Sequence, residues 1–73
     1  PSTTISYDLP RPDDVTLTVA GVLDRQVREL ASGTKPAGIY EVTCDATGLP
    51  SGVYFYRLTA GNMMLTKKMV LLK

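Results

Sequence analysis

Apolar and polar residues alternate along most of this chain with a period of two, the repeat of a strand with one dry face and one wet face. Ile5, Tyr7 and Leu9 alternate with Thr4, Ser6 and Asp8 until Pro10-Arg11-Pro12-Asp13 breaks the run. Val15, Leu17 and Val19 then alternate with Asp14, Thr16 and Thr18, which predicts a second half-buried strand after a tight polar turn. The stretch Val22 to Leu30 has helix-forming residues and roughly helical apolar spacing. Its flanks are hairpin-like, however, and a lone short helix would need its own face to pack on, so the prediction is a turn followed by a short strand from Gln26 to Leu30.

Ala31 to Gly38 reads as a loop by composition. Beyond it Tyr40, Val42 and Cys44 share one face, with Glu41, Thr43 and Asp45 on the other. After a turn-rich segment from Asp45 to Gly52, the next strand puts Tyr54, Tyr56 and Leu58 opposite Val53, Phe55 and Arg57, and Ala60-Gly61-Asn62 leads by a hairpin into a last strand from Met64 to Leu72. About six or seven short strands with turn signals every 8 to 12 residues or so predict an all-β fold, a small immunoglobulin-like antiparallel β-sandwich. The pattern carries no internal repeat and no low-complexity tract.

The last strand breaks the alternation. Met69, Val70, Leu71 and Leu72 are consecutive, so either both faces are covered, as in a central strand, or one face is left for something outside the domain to read. Gly52 followed two residues later by Tyr54, where a loop enters a strand, has the form of a tyrosine corner, in which the phenol bonds back to the preceding backbone. The plainer alternative makes Tyr54 one more aromatic on an apolar face.

Composition narrows the chemistry. The 73 residues suffice for one domain, at a size where only about 60% of the unfolded surface is buried on folding. With no histidine and one cysteine there is neither a disulfide nor the common neutral-pH acid–base group. Cys44 falls on an apolar face and reads as a small buried hydrophobe rather than a nucleophile. Asp13, Asp14, Asp24, Glu29, Glu41 and Asp45 flank turns or lie on polar faces, and neither acidic loop has the ligand spacing of a calcium site. Catalytic, cofactor and metal sites are therefore not expected. Eight Lys and Arg against seven Asp and Glu, unmassed, give no basic stripe for nucleic acid. No apolar run is long enough for a transmembrane helix, and no signal peptide stands at the start.

Five stretches, TTISYDLP, VTLTV, VLDRQVREL, GLPSGVYFYRLTAG and TKKMVLLK, together resemble the type A C-terminal sorting domain of the type IX secretion system, with a related pattern in the immunoglobulin-like domain of the flagellar hook-capping protein. The resemblance covers nearly the whole chain. It departs from the family at Ala20-Gly21, at Asp24 where glycine is common, and at Cys44 where phenylalanine is common. Members usually open on a Pro-Asn-Pro-Phe-like segment of which Pro1-Ser2 remain here, so residues 1–73 are expected to be one sorting domain excised at a C-terminus with part of its first strand outside.

The resemblance implies an address rather than a catalyst. It implies an N-terminal cargo, an outer-membrane secretion translocon that recognises the folded domain, a surface sortase-like peptidase that removes it, and delivery to the cell surface or exterior. The recognition motif would be Lys67, Lys68, Met69, Val70, Leu71, Leu72 and Lys73, with Gly52 and Tyr54 as a structural corner. The lysines would frame an apolar patch and discourage indiscriminate edge pairing. An open edge left by a missing strand would favour a strand-mediated dimer. The competing classes are an immunoglobulin-like spacer beside a secreted enzyme domain and a carbohydrate-binding module using Tyr7, Tyr40, Tyr54, Phe55 and Tyr56 as stacking platforms.

Overall fold

A computed structural model of the chain describes residues 2–23 and 25–72. Six strands account for most of them: β1 Ser2–Leu9, β2 Asp13–Gly21, β3 Gln26–Lys35, β4 Gly38–Asp45, β5 Gly52–Ala60 and β6 Met63–Leu71. All pairings are antiparallel. β1 and β4 form a two-stranded sheet, and the other four form a sheet in the order β3-β2-β5-β6. The chain is an all-β sandwich whose two layers differ in width.

The period-two pattern sets which side chains meet between the layers. Ile5, Tyr7 and Leu9 from β1 pack with Val15, Leu17, Leu58 and Ala60 from the larger sheet. At the other end Val19, Cys44, Ala46, Leu49, Tyr54 and Leu71 form a second cluster. Leu17, Val19 and Cys44 are fully inaccessible to solvent. Leu30, on β3, and Tyr56, on β5, touch both clusters and join them.

The structure corrects the loop expected from Ala31 to Gly38. β3 runs on to Lys35, with Ala31 opposite Leu17 and Lys35 opposite Asp13. A small, polar segment reads as a loop because it has nothing to bury. At a sheet edge, backbone hydrogen bonds to one neighbour are enough to hold it extended. Pro36 and Ala37 alone then separate β3 from β4, and that short link crosses from one sheet to the other. Pro10 to Pro12 make the same crossing between β1 and β2.

Candidate functional site

Leu71 and Gly52 are register partners, as are Val70 with Val53 and Met69 with Tyr54. The chain end and the segment leading into β5, far apart in the sequence, are thus one structural unit.

The loop feeding that unit is held from three sides. Asp45 Oδ1 accepts from the Thr47 amide at 3.0 Å and from the Thr47 hydroxyl at 2.7 Å, the short-range bonding by which Asp initiates a turn. These bonds stabilise the anion and hold the Asp45 carboxyl below its ordinary range. The Leu49 amide donates to the Ala46 carbonyl at 3.0 Å across a turn with Gly48 at φ +88°, the type II requirement for glycine. Arg28 reaches over from β3 and donates to the Thr47 carbonyl at 2.9 Å and the Asp45 carbonyl at 3.4 Å. Tyr54 then closes the loop, its hydroxyl donating to the Pro50 carbonyl at 2.7 Å with the ring buried. Gly52, at φ +155°, permits the bend between Pro50 and Tyr54.

β6 is one of the two edge strands of the larger sheet, with no strand beyond it among the described residues. Its register puts Lys67 and Met69 on the side of Tyr56 and Tyr54, facing inward, and Lys68 and Val70 on the side of Phe55 and Val53, facing outward. Leu71 is anchored in the core and Met69 is half-buried against it, whereas Val70 and Leu72 are 53% and 84% exposed. The strand is therefore dry on one side of its last turn and apolar but wet on the other. Lys67 and Lys68 are exposed on opposite faces, while Lys73 lies outside the described residues.

The neighbourhood adds residues that the linear pattern did not mark. Val53, opposite Val70, is part-exposed, and Val22 and Leu23 at the β2–β3 turn are 69% and 82% exposed. These three residues line a groove of about 390 Å³ together with Leu49 and Pro50. Arg28 and the Val22-Leu23 pair went unmarked because their roles depend on long-range contacts. A period-two reading carries no such information.

Of the side chains considered for chemistry, Asp24 lies outside the described residues. Cys44 is buried, and burial pushes its thiol above the ordinary value, which disfavours the thiolate. Asp14 accepts from the Thr34 hydroxyl at 2.6 Å. Among the described residues no group of three or more His, Cys, Asp or Glu could hold a metal ion. Tyr7 and Tyr40 stack on each other with ring centroids 5.2 Å apart, and Tyr54 is buried, so the aromatics do not present one flat platform.

Residues 2–72 match the family model described as the secretion system C-terminal sorting domain. Comparison with curated proteins and with solved structures gives no match.

Proposed function

The chain belongs to the family of type IX secretion C-terminal sorting domains, which mark proteins for export to the cell surface or exterior, and from that premise we propose that β6 and the residues after it are the part the secretion machinery reads. The observation that carries the proposal is the combination, within residues 69–72, of an inward anchor and an outward apolar pair on an edge strand. An unpaired edge offers main-chain donors and acceptors to an incoming strand, and alternate side chains supply specificity. Val70, Leu72 and Lys68 present the side chains, Leu71 and Met69 fix the strand, and the Gly52–Tyr54 corner fixes the partner strand β5.

In this reading the domain acts by being bound. The outer-membrane translocon is its receptor, a surface sortase-like peptidase removes it afterwards, and no residue of the domain performs catalysis. The buried, raised-pKa Cys44 and the absence of histidine support that assignment.

The test is secretion of a fluorescent reporter that carries an export signal and is fused to Pro1–Lys73, in a host with a working type IX system. Ending the chain at Lys67 also removes the core residue Leu71, so the informative variants are Val70→Asp and Leu72→Asp, which alter exposed positions. Periplasmic retention with an unchanged melting midpoint supports the proposal. Normal export of the doubly substituted fusion would overturn it and make the domain a spacer.

A further inference from the structure

The start of β5 is paired on one side only. Its ladder with β6 runs down to Gly52, opposite Leu71, whereas its ladder with β2 stops at Tyr54, opposite Gly21. β2 turns away at that point, and the Gly21 amide donates to the Arg25 carbonyl at 3.1 Å within the turn. Gly52 and Val53 therefore have no strand on the β2 side among the described residues. Successive residues of a strand direct their main-chain groups to opposite neighbours, so one of the two presents an N–H and a C=O there.

The space beside them is the groove of about 390 Å³, lined by both residues and, from the β2–β3 turn, by Val22, Leu23 and Arg25. Turns usually carry polar or small residues, yet Val22 and Leu23 are largely exposed. Val53 links them to Val70, its register partner on β6, so exposed apolar surface runs from the turn across β5 to the chain end. Contiguous apolar surface of this kind marks an interaction site, where single exposed residues do not. Its polar surroundings are cationic. Arg25 lines the groove, Lys68 is exposed two residues before Val70 on the same face, and among the described residues no carboxylate lines the groove.

We propose that the groove seats an extended segment of the protein that receives the domain, one carrying both apolar and acidic side chains. The segment adds to the β5 main chain at Gly52–Val53, places an apolar side chain between Leu23 and Val53, and sets a carboxylate beside Arg25. The inference rests on the proposed function, and takes from it only that the secretion machinery binds this end of the sheet. Two other occupants fit less well. A second copy would bring Arg25 and Lys68 toward their own counterparts, since a two-fold interface uses the same patch on both sides. A lipid surface would suit the cations and the apolar turn, but has no main chain to pair with Gly52 or Val53.

The experiment is titration of the full-length protein, cargo included, against the outer-membrane translocon purified in detergent, read by fluorescence anisotropy. Leu23→Asp and Arg25→Glu alter exposed positions, so melting midpoints should hold while each variant binds about tenfold more weakly or worse. Arg25→Lys should recover most of the Arg25→Glu loss, and added salt should narrow the gap between wild type and Arg25→Glu. Wild-type affinity in both groove variants would overturn the proposal. Loss in those variants of binding to vesicles of phosphatidylglycerol and phosphatidylcholine, in place of translocon binding, would overturn it in favour of lipid. Dissociation of a dimer by Leu23→Asp, again with translocon binding intact, would overturn it in favour of a second copy. Val70→Asp in the same titration keeps the two readings apart. A loss there with none in the groove variants leaves the β6 reading standing alone, and the reverse pattern leaves the groove.

Discussion

Tyr54 and Tyr40 make the same bond: each phenol donates to the carbonyl of the proline four residues before it, Pro50 and Pro36 respectively. Both sit in the pattern Pro-x-Gly-x-Tyr, and the two glycines, Gly52 and Gly38, share a φ near +155°. This five-residue pattern occurs twice, once at the start of β4 and once at the start of β5. It places one tyrosine in each sheet.

The two bonds should not be equal in effect. The Tyr54 bond is partly buried and lies beneath the β5–β6 pair, whereas the Tyr40 bond is exposed and competes with water. We expect Tyr54→Phe to cost about 1 kcal/mol, lowering the thermal midpoint of a domain this size by roughly 4–8 °C. Tyr40→Phe should cost measurably less. Circular dichroism melts of the two variants check the order, and equal midpoints would mean that the corner is geometry without energetic weight.

What was legible in the sequence follows from what a period of two can encode. Val15, Leu17 and Val19 alternate with hydroxyls and a carboxylate, and all three are buried in β2, the central strand with a neighbour on each side. Ala31 to Lys35 carry no such alternation because edge position, not burial, keeps them extended. Arg28 was invisible for a related reason, since its acceptors at Asp45 and Thr47 become neighbours only when β3 and β4 come together at the end of the sandwich. For the chain end, the run of apolar residues was evident. Its division into a buried Leu71 and exposed Val70 and Leu72 required the register with β5.

Leu17 is inaccessible to solvent and belongs to the larger apolar cluster. Its truncation to alanine removes buried methyl groups and leaves a cavity that a rigid central strand cannot close. We expect Leu17→Ala to cost about 2–5 kcal/mol, a large part of the stability available to a domain of this length. Val70→Ala, on the exposed side of β6, should change stability little. Chemical denaturation of both variants gives the comparison, and a small effect at Leu17 would contradict its central placement.

The β5–β6 hairpin turns on Gly61, whose φ of +58° is left-handed and whose amide donates to the Asp14 carbonyl at 3.2 Å. A Cβ there would lie 2.9 Å from the Asp13 carboxyl carbon. Strain and contact act in the same direction for a β-branched residue. Gly61→Val should therefore destabilise by about 1–3 kcal/mol, while Gly61→Asn, which tolerates this φ, should lose less. If valine and asparagine proved equivalent, the turn would have another conformation open to it.

Asp45 gives the domain a dependence on acid. Its bonds from the Thr47 hydroxyl and amide favour the anion, so its folded-state pKa lies below the ordinary 3.8. A carboxylate with a depressed folded pKa contributes stability that is fully present above its unfolded value and is lost as pH falls through the folded one. The loop it initiates, residues 46–51, carries Pro50, the acceptor of Tyr54, so protonation of Asp45 should loosen the corner before the rest of the sheet. We expect amide exchange at Thr47 to accelerate as pH is lowered below 3.8, with correction for the intrinsic exchange rate. Asp45→Asn should abolish that acid step while leaving the melting midpoint near neutral pH only slightly lower. An acid step that persists in the asparagine variant would assign the transition to another carboxylate.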